Sequence, residues 1–520
     1  PYTTLFRSGA RVRRRGMNAL SLLLPVLLLL TGCIQKPSVS PLTLDGTLEP
    51  FYSQTVEWHS CGALECAEFT VPVDYNDLSG ETIQISINRH VAGDGASRLG
   101  SIVSNPGGPG GSGIDYVEAY EQVFTPQIIK QFDLVGFDPR GVGSSAPIEC
   151  STDAEKDDGY ASESTPDTAA EVKEFEKPFD MTACADKTGE LFAHVSTVEV
   201  VKDLDILREL LGDVRLNYLG KSYGTQIGAV YASMFPENVG QFVLDGAVDM
   251  KLSPLDLTVG QAAGFEGELK RFATYCVEVY GDCPLGSTES AMLSKLFAFL
   301  KQLDSKPLKT DDADRKLTES HVWNALFGSM YAPDWTWDWL IESLDAAYEG
   351  DGTGLLDMSD WQAGRNPDGT YMDNSYDAFT AISCLDYPYA DFKRADLIAR
   401  AKEAAPLLGE VFGWMEGGCK NWPVTGIPMP SDISAAADAA TTIVVVGTVN
   451  DPATPVQWAR SLTEELGNAV YLEFNGDGHT AYMSGSKCID SRIDEYFISG
   501  RLPKNSPICQ PDEPILGAFN

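Results

Sequence analysis

A chain of 520 residues has room for one large domain with an insertion, or for two to three ordinary domains. With 43% hydrophobic, 10% aromatic and 22% charged residues it has the composition of a globular protein, and no apolar run beyond the N-terminal region is long enough to cross a bilayer. Its 75 acidic and 38 basic residues leave a formal net charge of −37, a surface that repels nucleic acid and argues against it as a partner.

Residues 1–33 read as a leader. PYTTLFRSGA is set aside as flanking, non-native sequence. RVRRRGMNALSLLLPVLLLLTGC then joins a cationic stretch to an apolar run, Leu20 to Leu30, and to the ending Thr31, Gly32, Cys33. This resembles the signal peptide and lipobox of bacterial lipoproteins. The resemblance implies a lipid on Cys33, export to the cell envelope (periplasmic face or outer membrane), and membrane contact through that anchor alone. Residues 34–55 are aperiodic and carry proline and serine, so a flexible tether is expected.

Beyond the tether the apolar pattern alternates between strand and helix. ETIQISINRHV (81–91), GSIVSN (100–105) and FDLVGFD (132–138) read as strands, VEVVKDLDILRELLG (198–212) as a helix, and RLNYLG as the next strand. After QFVLDGAVD (241–249) the rhythm breaks into a helix-like, tryptophan-rich stretch. It resumes with TTIVVVGTVND (441–451), the short helix SLTEELG, AVYLEFNG (469–476) and the closing helix IDSRIDEYFISG (489–500). Alternating strands and helices predict an α/β fold, a mostly parallel sheet with helices on both faces. The expected bodies are 56–250 and 436–520, with a helical lid inserted over 251–435.

Eleven cysteines, less Cys33, leave ten, an even number that suits an oxidising compartment. Proximity in sequence suggests Cys61 with Cys66, Cys276 with Cys283, and Cys488 with Cys509, leaving Cys150 with Cys184 and Cys384 with Cys419. No C-x-x-C pair occurs, so a zinc ribbon or thioredoxin-type motif is absent.

Residues 217–228 read NYLGKSYGTQIG, a G-x-S-x-G in which Ser222 lies between a strand and a helix start. A serine hydroxyl needs a base, and of five histidines only His321 and His479 follow it. His321 sits in an aromatic helical stretch that suits packing, whereas His479 follows the last strand in the glycine-rich NGDGHTAY. Asp451, ending a buried strand in VVVGTVNDPATP, is the acid expected to orient His479. Asp477 competes, but its adjacency to His479 makes it an awkward orienter. The order Ser, Asp, His is that of the α/β-hydrolases. Oxyanion donors are expected from the backbone N–H of Tyr223 and from SNPGGPGGSG (104–113), at Gly107 or Gly108, with Gly108 preferred.

The same loop spells G-x-G-x-x-G through Gly108, Gly110 and Gly113, with Asp133 and Asp138 downstream, a dinucleotide-binding signal. Pro106 and Pro109 stiffen it, and an exported protein has little access to such a cofactor, so this reading is set below the hydrolase.

NPGGPGGSG, FDLVGFDPRGVGSS, LNYLGKSYGT, FVLDGAVD, GTVNDPATP with Trp458 and Ala459, and GDGHT together resemble the exported α/β-hydrolase peptidases of the prolyl iminopeptidase and tripeptidyl aminopeptidase group, over nearly all of 56–512. The resemblance implies release of tripeptides or single residues from peptides with a free N-terminus. In that scheme Ser222 is the nucleophile, His479 the base and Asp451 the orienter, and neither a metal nor a cofactor is implied. It also implies acids near the lid that hold the substrate ammonium group, and Glu416 in GWMEGGCKNWP is the candidate. Asn105 and Pro106 stand where the prolyl iminopeptidase loop begins with histidine, so a strict proline specificity is not expected. The alternatives are a carboxylesterase or lipase using the same residues on small esters, and a binding lipoprotein without catalysis.

Overall fold

The computed structural model describes residues 43–516 apart from 94–97, 163, 167, 169–170, 174–180, 389–390, 417–418 and 504–507. The predicted lipidation site, Cys33, lies outside them.

A nine-stranded sheet runs in the order β1-β2-β3-β5-β4-β6-β7-β10-β11. Its strands are β1 (His59–Cys61), β2 (Leu64–Pro72), β3 (Thr82–His90), β4 (Gly100–Asn105), β5 (Phe132–Phe137), β6 (Leu216–Lys221), β7 (Val239–Asp245), β10 (Ile443–Asn450) and β11 (Ala469–Asp477). The first three are antiparallel to their neighbours, and every pairing from β5 through β11 is parallel. The short pair β8 (Leu308–Lys309) and β9 (Lys316–Leu317) forms a separate ribbon.

Every residue of β4 and β5 is buried, which is why those segments read as continuous apolar runs without alternation. Both faces are covered. Helices Thr197–Leu210, Gly224–Met234 and Val456–Leu466 pack around Tyr218, Ile227, Phe242 and Val445 on one side. Helix Lys487–Ser499 closes the other over Leu134, Leu219 and Val446. Because the strands from β4 to β11 all point one way, the loops after Asn105, Lys221, Asp245, Asn450 and Asp477 emerge at a single edge.

Between β7 and β10 a run of helices begins with the long helix Pro254–Glu278 and builds its own core around Phe272, Leu296, Trp337 and Leu340. The stretch expected as a single lid over 251–435 does not behave as one unit. Ala378, Ala381, Ile382 and Leu385 of helix Ser375–Asp386 belong to the core against the sheet, while Leu408, Val411 and Phe412 return to the helical core.

The tether expected over 34–55 also ends early. Phe51 is fully buried, the Tyr52 hydroxyl donates to Asp205 at 2.8 Å, and Gln54 exchanges hydrogen bonds with the Thr70 backbone at 2.8 and 2.9 Å. One aromatic anchor among polar neighbours leaves no periodic pattern, yet it docks the segment on helix Thr197–Leu210. Disulfides join Cys61–Cys66, Cys150–Cys184, Cys276–Cys283, Cys384–Cys419 and Cys488–Cys509.

Candidate active site

Ser222 has φ of 55°, a left-handed conformation that side-chain-bearing residues seldom adopt and that costs on the order of 1 kcal/mol or more. The fold holds it there. The Ser222 N–H donates to the Asp245 carbonyl at 2.9 Å, and Thr225 donates to the Ser222 carbonyl from its N–H at 2.8 Å and its hydroxyl at 2.6 Å. The turn is tight enough that a Cβ on Gly220 would lie 2.3 Å from the Gly224 carbonyl oxygen, so the glycine pair that frames Ser222 is a steric necessity.

His479 is buried, with its Nδ1 at 2.8 and 2.9 Å from the two oxygens of Asp451. That carboxylate also accepts from the N–H groups of Ala453 (2.9 Å), Thr454 (2.8 Å) and Thr480 (3.2 Å) and from the Thr454 hydroxyl (2.9 Å). A carboxylate on Nδ1 places the imidazole proton there and makes Nε2 the basic nitrogen. Asp477 is directed elsewhere, to Arg271 at 2.5 Å and Asn450 at 2.8 Å.

The Ser222 and His479 loops meet around the end of β7. Ser222 is bonded to the Asp245 backbone, and a Cβ on the next residue, Gly246, would lie 3.3 Å from His479 Cε1. The Asp245 carboxylate accepts from the N–H of Ala481 (2.9 and 3.0 Å) and of Tyr482 (2.9 Å), and Lys221 Nζ donates to the Tyr482 carbonyl at 2.8 Å. Burial pushes Asp245 up and Lys221 down from their ordinary values, each partly offset by the charge of the other. Sequence reasoning missed this stitch. Its signal was a lysine and an aspartate ending neighbouring apolar strands, positions where a buried charge needs a purpose.

The glycine loop lies against the serine. A Cβ on Gly107 (φ 103°) would sit 2.8 Å from Ser222 Cβ and 3.3 Å from the Tyr223 nitrogen. The Gly107 N–H is taken by Asn105 Oδ1 at 2.9 Å. Among the described residues no hydrogen bond uses the N–H of Gly108 or of Tyr223, which leaves both available to an oxygen held at Ser222.

The rival dinucleotide reading loses its acids. Asp133, at the start of β5, holds Arg98 and the Ala92 N–H, and Asp138 accepts from the Ser112 hydroxyl at 2.6 Å and the Ser144 N–H at 2.8 Å. A Cβ on Gly113 would lie 2.2 Å from the Phe137 carbonyl oxygen, so that glycine serves helix-to-strand packing. Glu416 lies at the end of helix Gly409–Met415, where its carboxylate accepts from Thr258 at 2.6 Å and its carbonyl from Arg394. His321 caps its own helix through Thr318 and is held well below the usual histidine range by burial, at about 4.

One group among the described residues has metal-ligand chemistry, Asp74, His194 and Glu199, with ligand atoms within 4.8 Å of one another. It is closed by its own hydrogen bonds, His194 to Glu199 at 2.6 Å and Ser196 to Glu199 at 3.0 Å.

A strained serine after β6, an aspartate after β10 and a histidine after β11, all at one edge of a doubly covered sheet, are the arrangement of an α/β-hydrolase. The chain is 36% identical to the serine protease Hip1 of Mycobacterium tuberculosis over 96% of its own length and 100% of that protein's. It is also 36% identical to Carboxylesterase B of the same organism, over 97% of this chain and 100% of that one. A tripeptidyl aminopeptidase of Streptomyces lividans is 28% identical over 88% of this chain and 87% of its own. Residues 405–509 match the family model described as TAP-like protein. The chain belongs to this family of α/β-hydrolase peptidases, the tripeptidyl aminopeptidase group.

Proposed function

We propose that this protein is an exported serine aminopeptidase in which Ser222, His479 and Asp451 are the catalytic residues. The observation that carries the reading is the buried His479–Asp451 pair at the same sheet edge as the strained Ser222 turn, the two loops meeting at the end of β7. His479 Nε2 takes the Ser222 hydroxyl proton as Oγ attacks the peptide carbonyl carbon, and the negative charge that develops on its oxygen is met by the N–H groups of Tyr223 and Gly108. His479 then passes the proton to the leaving amine, and water repeats the cycle on the acyl-enzyme.

Substrates are peptides with a free N-terminus. Glu416 is proposed as a partner of the ammonium group, the helical insert as the lid over the cleft, and Cys33 as the lipid-bearing residue that tethers the enzyme to the envelope. Five disulfides suit an extracytoplasmic site. A second reading, an esterase on small esters, is favoured by the equal identity to Carboxylesterase B and uses the same residues.

Hydrolysis of chromogenic substrates one to four residues long, with free and acetylated N-termini, by wild type and Ser222→Ala separates them. Turnover of free-amine peptides that vanishes in the variant, with a raised KM in Glu416→Gln, is expected. Turnover of simple esters but of no peptide would move the function to an esterase.

A further inference from the structure

The two oxyanion donors come from different loops, one after β4 and one after β6, and among the described residues no hydrogen bond joins those loops directly at the donors. Helix Ser375–Asp386 touches the first loop directly and reaches the second through Thr197. At its start, Gly110 comes so close that a Cβ there would lie 3.1 Å from the Ser375 carbonyl oxygen and 3.2 Å from the Phe379 nitrogen. At its end, the Asp386 carboxylate accepts from the Thr197 N–H at 2.8 Å and hydroxyl at 2.6 Å. Thr197 Oγ1 in turn is 2.5 Å from the Tyr223 hydroxyl. The Tyr223 hydroxyl donates to Thr197 when Asp386 is ionised and takes the Thr197 proton, and it accepts from Thr197 when Asp386 is neutral. Just past the helix, the Tyr387 hydroxyl accepts from Gln226 of the helix that follows Ser222, at 2.5 Å.

The helix is itself well fixed. Asn374 bonds the carbonyls of Gly141 and Ile148 at 2.9 and 2.8 Å, Asp377 accepts from Cys150 and Ser151, Cys384 is bridged to Cys419, and the Met429 N–H donates to the Asp386 carbonyl at 3.0 Å. All four Asp386–Thr197–Tyr223 polar groups are buried, so this chain is not a rim contact that water can replace.

We propose that helix Ser375–Asp386 is a strap that sets the spacing of the two oxyanion donors, with Asp386 the positioning residue that acts through Thr197 on Tyr223. The inference rests on the serine-hydrolase reading above. It assigns to one part of the insertion a task other than covering substrate: it bridges the Gly108 side and the Tyr223 side of the site with one rigid element. Donors aimed at an oxyanion contribute only when they lie within hydrogen-bond distance of it, so a small displacement of either lowers kcat and leaves ground-state binding alone.

The test compares wild type with Asp386→Ala, Thr197→Val and Tyr223→Phe. It uses kcat and KM on the best peptide or ester substrate and Ki for a peptidyl trifluoromethyl ketone, whose hemiketal oxyanion occupies the hole. We expect kcat to fall and Ki to rise by about tenfold with KM within about twofold, the loss being largest for Asp386→Ala. Should that variant fail to fold, the other two, which each remove little more than a hydroxyl, carry the same comparison. Variants whose Ki stays at the wild-type value, or whose Ki and KM rise together, overturn the strap. A wild type that neither turns over substrate nor is labelled at Ser222 by a fluorophosphonate overturns the serine-hydrolase reading itself. A labelled, active wild type with unmoved variants overturns the strap alone.

Discussion

Ser222 and His479 are held in place by different means. Ser222 is fixed by its own neighbourhood: its N–H and carbonyl are bonded within a few residues of β6 or to the adjacent β7, and the turn is shaped by the glycines beside it. His479 leans on the helical insert. Its N–H donates to the Tyr331 carbonyl at 2.9 Å, its ring meets the Tyr331 ring edge-on at 5.1 Å, and the preceding N–H, that of Gly478, donates to Glu268 at 3.2 Å. The long helix Pro254–Glu278 also seats the Asp451 loop. Gln261 donates to the Ala453 carbonyl at 3.1 Å, and a Cβ on Gly264 would lie 2.4 Å from the Pro452 carbonyl oxygen. The proposed nucleophile belongs to the sheet, and the proposed base belongs jointly to sheet and insert. Displacement of the helices that carry Tyr331, Glu268 and Gln261 would therefore dismantle the His479 side while leaving the Ser222 elbow standing.

The largest effects break both sides equally. Ser222→Ala should remove turnover by about a thousandfold or more with little change in melting temperature, measured on the best peptide or ester substrate. Asp451→Asn should lower kcat by about a thousandfold to ten-thousandfold, because an amide no longer dictates which imidazole nitrogen carries the proton. A smaller loss in Asp451→Asn than in a matching Asp477→Asn would reverse the assignment of the orienting acid.

Glu268 separates the two sides. It is fully buried on the long helix, and burial, together with Asp477 and despite Arg271, pushes its carboxyl well above the ordinary range. Glu268→Gln keeps an acceptor for the Gly478 N–H and should retain activity within a few-fold. Glu268→Ala leaves that N–H unsatisfied, at a cost of about 1–3 kcal/mol in stability, and should lower kcat by about tenfold. Fluorophosphonate labelling of Ser222 by both variants, followed beside kcat, reads whether the nucleophile's loop is untouched. A drop in Ser222's own conformational integrity, seen as loss of the melting transition, would contradict the division.

This division also explains what the sequence made legible. Each strand leading to the site was readable because parallel strands are apolar throughout, and the Ser222 elbow was readable because Gly220, Gly224 and Thr225, which shape the turn, are its close neighbours in sequence. Asp451 and His479 could be found by chain order and loop character. The contacts that support them could not, since Glu268, Tyr331 and Gly264 are joined to them only through tertiary folding. Gly264 within a helix reads as a weakness in the sequence until Pro452 is seen against it. Phe51 was lost in the tether for a related reason, as one apolar residue carries no period. Asp386 gave no signal at all, because its partners, Thr197 and Tyr223, are more than 160 residues away.

The smallest effect concerns that aspartate. Burial pushes the Asp386 carboxyl up to about 7, against the lowering effect of the Thr197 hydroxyl and N–H and with Glu199 of the same helix adding to the rise. Tyr223 and Tyr387 face it as well, and both are driven upward by burial and by its charge. Between its unfolded value near 4 and about 7, the folded protein holds a proton that the unfolded chain has released. This group therefore lowers stability as pH rises through that window and adds no further slope above it. Melting temperatures of wild type and Asp386→Asn measured from pH 4.5 to 8 should converge toward the alkaline end, because the amide does not titrate and the variant's loss is confined to the hydrogen bonds it makes less well. Curves that stay parallel across the window would mean that Asp386 is ionised throughout, and the strap would then present a fixed charge to Tyr223 where a neutral acid is expected.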